Sequence, residues 1–443
     1  MNDLDRNIAT SIIAMDTLWG GDVMNPSGTG RFIADSWYSD EPLPEAYTHP
    51  LAAKVREAGG VGGKDPAAIE DYVKAIDVRG AVRAVADAAK GLGGLRGAYL
   101  ANLAECCDVM WELAMEVEGK GDPVSHDRCQ IAMTGEAPQP SDPRAKRERV
   151  AELVKAAGYD GPLLDAADAW RADRMVPRKS IKALGDAFIA HFDALTERNV
   201  MPYMPAALRG VPRANVEFLP IENAWFSGSM NYIGRARNAD GSPKYESTYE
   251  LNASLQISIP EFQQLVSHEV VPGHVTTFAF LQKLFVDGNL GFEGTVLTMN
   301  TSMAVLAEGI ANNAILMAYG VNDASELPDR DLELGVQLAL LQDDAKNQSS
   351  WLTWKEKLPK EEVAKVLRND FLCSDERADK LSGAWGRHPL LGRMYLPAYR
   401  YGTIAVARLR EKHAPAAILP ALFGCHGLVD MSTVETAVLS AQS

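Results

Sequence analysis

The chain has 443 residues, 47% of them hydrophobic, and a formal charge of −15. That supplies apolar material for a large core in one unit or two, and the acidic balance argues against a phosphate-binding surface and therefore against a nucleic-acid partner. No apolar run reads as long enough to span a bilayer. Ile12-Ile13-Ala14, preceded by Asp3, Asp5 and Arg6, is too short for a secretory leader. The five cysteines are odd in number and lack Cys-x-x-Cys spacing, which points to reduced thiols and no cysteine metal site. The expectation is a cytoplasmic protein without a membrane partner.

In chain order, residues 1–45 read as irregular because Gly20-Gly21, Pro26, Pro42 and Pro44 interrupt any long element. Helical patterning starts at Asp65-Pro66 and runs to about residue 92, with a second amphipathic stretch over 95–117. Residues 120–144 are rich in Gly, Pro and Asp and read as a loop or linker; helical signal returns over 145–157 and 180–198. The period then changes to two: Tyr249, Leu251, Ala253, Leu255, Ile257 and Ile259 alternate with Glu250, Asn252, Ser254, Gln256 and Ser258, the pattern of a strand. Weaker strands are expected over 215–219 and 224–233. Pro260 opens a helix, and further helices are expected over 295–319, 329–354, 360–367 and 399–412. The predicted fold is mainly α, with a small antiparallel sheet leading into one particular helix. Residues 1–205 form an N-terminal helical region and residues 206–443 a second region, packed together as one compact unit.

That helix carries His268-Glu269-Val270-Val271-Pro272-Gly273-His274. Two imidazoles and a carboxylate beside the first are the materials of a metal site, but the histidines are six apart rather than the four of H-E-x-x-H. Six residues of regular helix turn through about 600°, leaving the side chains roughly 120° apart and about 9 Å along the axis. Zinc–nitrogen bonds of about 2.0–2.1 Å require both rings to meet at one point. Pro272 lacks an N–H and clashes with the carbonyl four residues back, and Gly273 tolerates the resulting backbone. A bulge or break after Val271 that swings His274 back towards His268 is therefore predicted. Glu308 is the expected third ligand, because it sits in an otherwise apolar helix where an unpaired charge is costly. Asn312, one turn on, is placed to brace it.

His268–His274, followed by Val275-Thr276-Thr277 and a later Glu308-Gly309, resembles the bacterial HExxPGH family, a domain of unknown function often described as dipeptidase-like. That family is itself similar to mainly helical zincins such as thimet oligopeptidase and Taq-type carboxypeptidase. The resemblance implies a large helical zincin-like fold. Ile310 stands where the family usually has tryptophan. A further family motif is matched by Tyr399, Gly402 and Arg410, and the match covers roughly residues 215–412.

The expected chemistry is that of a zinc-dependent hydrolase cleaving an amide or peptide bond of a small substrate. His268, His274 and Glu308 hold zinc, and Glu269 acts as general base towards the metal's water. Tyr399, by the resemblance, is the donor to the developing oxyanion. Arg400, Tyr401 and Arg410 bind the substrate and clamp its carboxylate. The alternating strand, by analogy with zincins, offers its backbone to an extended substrate. Two other readings stay open. One is a metal-dependent enzyme of different chemistry (ester hydrolysis, lyase chemistry or a non-haem iron reaction), since iron or another divalent metal suits two histidines and a glutamate. The other is a non-catalytic binding protein. The expected partner is a small molecule or short peptide, and a homo-oligomer is allowed. His388, Glu293, Asp343 and Asp344 are read as having no catalytic task, the last three as solvated helix charges.

Overall fold

In the computed structural model, which describes residues 1–25, 32–221, 228–252 and 257–440, the chain opens with a helix, α1 (Asp3–Leu18), where an irregular segment was expected. Asn2 and Asp5 close a capping box at its start. Ile8, Ile12 and Met15 are fully buried, so Gly20-Gly21 marks the end of this helix rather than an absence of structure. The other helices that frame the site are α2 (Gly94–Val117), α3 (Ile181–Asn199), α4 (Ile259–Glu269), α5 (His274–Val286), α6 (Ser302–Tyr319), α7 (Arg330–Ser350) and α8 (Leu396–Lys412). The mainly helical expectation holds. Shorter helices occupy stretches read as loop, including His126–Thr134 inside the expected linker.

Two small sheets complete the frame. β1 (Ala34–Trp37) pairs antiparallel with β5 (Val296–Thr298). β2 (Val216–Ile221), β3 (Gly228–Tyr232) and β4 (Ser247–Asn252) form a sheet in the order β2-β4-β3. β3 runs antiparallel to β4, as expected, but β2 runs parallel to it, so this sheet is mixed. The period-two reading is correct over β4, where Tyr249 and Leu251 face the core, but residues 257–259 of the expected strand are not part of it: Ser258 caps α4 and Ile259 opens it. Residues 253–256 of the expected strand lie outside the described residues, as do 224–227. β4 is the central strand, so over its described residues its backbone bonds are taken on both sides, and among the described residues the open edges of this sheet belong to β2 and β3.

The sheet packs on α3 and α4 through Phe218, Phe188 and Phe262, whose rings meet edge to face. The main hydrophobic core takes residues from both expected regions, among them Ile12, Leu100, Phe192, Val266, Ile315 and Val438. A second cluster, around Trp170, Leu338 and Phe371, gathers beside α7. Residues Ser302–Glu326, which include α6, are long and apolar enough to cross a bilayer by length and composition, which corrects the reading that no such run exists. Within the fold most of that stretch is buried, as befits a core helix.

α6 and α8 approach closely because each has a glycine at the crossing. A Cβ on Gly402 would collide with the carbonyl oxygen of Val305, and one on Gly309 with the carbonyl of Gly402. These two glycines are each other's neighbours, so the two sequence motifs that contain them meet in space.

Candidate metal centre

The segment between the histidines is a complete break rather than a bulge. α4 ends at Glu269, and Val270 (φ −113°, ψ −81°) already leaves the helix, two residues earlier than predicted. The Val271–Pro272 peptide is cis, and α5 starts at His274 directly after Gly273. The Gly273 N–H donates to Ser267 O (3.1 Å) and the Thr276 N–H to Val270 O (3.2 Å), which ties the second helix back onto the end of the first. Thr276 Oγ1 donates to the Arg213 carbonyl at 3.0 Å. Gly273 has an ordinary negative φ; glycine is required because any Cβ would run into the His268 carbonyl. The result is the convergence that the spacing demanded, with the two imidazole centroids 4.8 Å apart and their planes at 88°.

Glu308 comes to the same point from α6. Its Oε2 lies 3.4 Å from His268 Nε2 and 3.8 Å from His274 Nε2. Two donors held at about 2.0–2.1 Å by one tetrahedral ion lie roughly 3.4 Å apart. Glu308 Oε1 accepts a 2.7 Å hydrogen bond from Tyr395, whereas Oε2 is buried and accepts none. Burial pushes the Glu308 carboxyl up to about 7, against the opposing pull of Lys346 and Tyr395. A carboxylate oxygen left dry and unpaired costs several kcal/mol unless a cation answers it. The donor set therefore fits a divalent metal.

His268 is prepared in the same sense. Its Nδ1 is 2.8 Å from Asn312 Oδ1, an acceptor, so Nδ1 carries the proton and Nε2 presents its lone pair. The Asn312 amide is oriented by its own donation to Thr403 Oγ1 at 2.8 Å. Asn312 thus braces a histidine, not Glu308 as the sequence suggested. Burial, followed by the neighbouring His274 and Lys346, holds His268 well below the usual imidazole range, in the neutral state a metal requires. The Glu269 carboxylate lies with the two imidazoles in a cluster whose ligand atoms are all within 4.8 Å of one another.

His268, Glu269, His274 and Glu308 line a cavity of about 240 Å3. Tyr395 and Tyr399, both from the start of α8 or just before it, form part of its wall. Tyr399 is where the resemblance placed it, but its hydroxyl donates to Tyr395 (3.0 Å), which in turn donates to Glu308. It thereby orders the ligand's partner while also lining the cavity. Tyr395 has no counterpart in the sequence reading. The available signal was its position four residues before Tyr399, on the same helical face. Lys346 was also missed: its Nζ sits 3.0 Å from the Tyr399 ring centroid and 3.0 Å from Asp343 Oδ1.

The expected substrate clamp is not at the cavity. Arg400 faces Asp344 (3.5 Å) and packs over Tyr401. The Tyr401 hydroxyl accepts from Gln139 N and donates to Ala137 O. Arg410 donates to Asn313 Oδ1 at 3.1 Å and to the Val321 carbonyl. A helix turns about 100° per residue, so residues 400 and 401 face away from the side carrying Tyr399, and Arg410 lies three turns further on. Glu293, Asp343 and Asp344 are not solvated either: they are buried and paired with Arg96, Lys346 and Lys146 respectively. His388 accepts from the Leu390 and Leu391 N–H groups through Nδ1 and stacks on Phe32, a packing role.

No protein-family model and no curated protein matches the chain. Among solved structures it is similar to a putative lipoprotein from Colwellia psychrerythraea, with TM-score 0.53 and 14% identity over 88% of this chain and 75% of that one. It is also similar to a putative lipoprotein of unknown function from Shewanella oneidensis, with TM-score 0.52 and 14% identity over 91% of this chain and 80% of that one. At this identity the likeness concerns the fold. It corrects the expectation of a zinc-dependent hydrolase cleaving amide or peptide bonds. These two proteins are described as putative lipoproteins, one of them of unknown function, and neither as a hydrolase. Among the described residues, the arginine clamp expected for a substrate carboxylate is also absent from the cavity wall.

Proposed function

We propose that the protein is a metal-dependent enzyme acting on a small molecule, with one divalent transition-metal ion held by His268, His274 and Glu308. One observation carries this reading: the buried, unpartnered Oε2 of Glu308 stands 3.4 and 3.8 Å from two imidazole Nε2 atoms. Two histidines and one glutamate suit zinc first, and non-haem iron as well. A bound ion supplies Lewis acidity at the open side of the donor set. The chain's own groups supply the rest. Asn312 fixes the tautomer of His268, and Tyr395, backed by Tyr399, turns Glu308 so that Oε2 faces the histidines. Glu269 is the group placed to take a proton from whatever occupies that open side.

The test is elemental analysis of the full chain purified without added metal, beside Glu308→Gln and His274→Ala. About one equivalent of zinc or iron in the wild type, and its loss in both variants with the fold retained by circular dichroism, is expected. Wild-type protein that takes up no divalent metal in equilibrium dialysis refutes the proposal.

A further inference from the structure

The cavity extends away from the donor set along α6. Met303, Ala304, Ala307 and Glu308 all line it, a spacing that places them on one side of the helix, with Ala304 about 6 Å and Met303 about 7.5 Å from Glu308 along the axis. Ala304 and Ala307 leave room on that face. Leu297 of β5 and Met299 after it form an adjoining part of the wall. An unbranched thioether adapts to varied apolar shapes, so methionines here make a compliant surface rather than a fixed one.

We infer that the ligand of this site carries an unbranched apolar chain that lies along α6 from the metal end towards Met303, behind a small metal-coordinating head. The inference rests on the metal reading above and adds the class of molecule. A chain buried along this face gains roughly fourfold in affinity per methylene.

The experiment is calorimetric titration of the zinc-loaded full chain with acetohydroxamate and hexanohydroxamate, which share a metal-chelating head and differ by four methylenes. Hexanohydroxamate is expected to bind on the order of 100-fold more tightly. Ala304→Leu should cut that ratio to about tenfold or less, because the added isobutyl group occupies the path of the chain. Leu297→Asn, on a different wall, should lower the same ratio and serves if the first variant fails to fold. A wild-type ratio within about threefold, or a 100-fold ratio that neither variant lowers, overturns the inference while leaving the metal centre standing. A zinc-loaded protein that binds neither hydroxamate overturns the inference alone, whereas a chain that cannot be loaded with zinc overturns the metal reading and the inference with it.

Discussion

The break between α4 and α5 and the unbroken start of α8 bring side chains to the same cavity by opposite means. At the break, regular helix would keep His268 and His274 apart, and the Pro272-Gly273 interruption brings them together. At α8 the cap residue and the first turn suffice: Tyr399 lies four residues after Tyr395, the residue that precedes the helix, and their hydroxyls form a chain to Glu308. The first device can be read from local sequence because it is an exception. The second cannot, because every helix has several faces and only packing decides which one meets the site. Arg400, Tyr401 and Arg410 share a helix with Tyr399 and were grouped with it, yet each is committed elsewhere.

This contrast between ligand, brace and bystander predicts a graded series of effects. The largest belongs to the break: His274→Ala should lower zinc affinity by on the order of 100-fold or more, measured by competition with a chelating dye, because a direct ligand matters more than the groups behind it. Next is Gly402→Ala, whose Cβ meets the Val305 carbonyl. It should cost about 1–3 kcal/mol of stability in denaturant titration and weaken zinc binding as α8 moves off α6. Asn312→Ala should reduce zinc affinity roughly 10- to 100-fold with little loss of secondary structure, since His268 loses the partner that fixes its tautomer. Tyr395→Phe deletes one hydroxyl and leaves Glu308 Oε1 short of a donor, and a drop of about tenfold is expected. Tyr401→Phe, on the other side of α8, should change zinc affinity by less than about twofold. If Tyr401→Phe matched Tyr395→Phe, the division of α8 into a site face and a structural face would be wrong.

The motif, the need for a break and the choice of Glu308 were legible because each is a local inconsistency: histidines at the wrong spacing, or a charge in an apolar helix. The break opens at Val270 because the helix must end before the proline ring can be accommodated, and a new helix then starts at His274. What stayed hidden is tertiary. The β1–β5 pairing joins residues 34–37 to 296–298, one in a stretch read as irregular and the other read as the start of a helix, and nothing near either predicts the partner. The parallel β2–β4 pairing is hidden for the same reason, since alternation sets which face of a strand is buried and not its direction. Gly309 and Gly402 could be noted as motif glycines, but their shared purpose, the close approach of α6 and α8, is visible only in three dimensions.

The central claim is that the α4–α5 break brings His268 Nε2, His274 Nε2 and Glu308 Oε2 to one ion. It is tested most directly by anomalous scattering, recorded above and below the zinc and iron edges, from crystals of protein purified without added metal. The account predicts one peak bonded to all three atoms at about 2.0–2.2 Å, with Glu269 alongside. A strong metal peak elsewhere in the molecule, or rings of His268 and His274 that point apart with no peak between them, would contradict it.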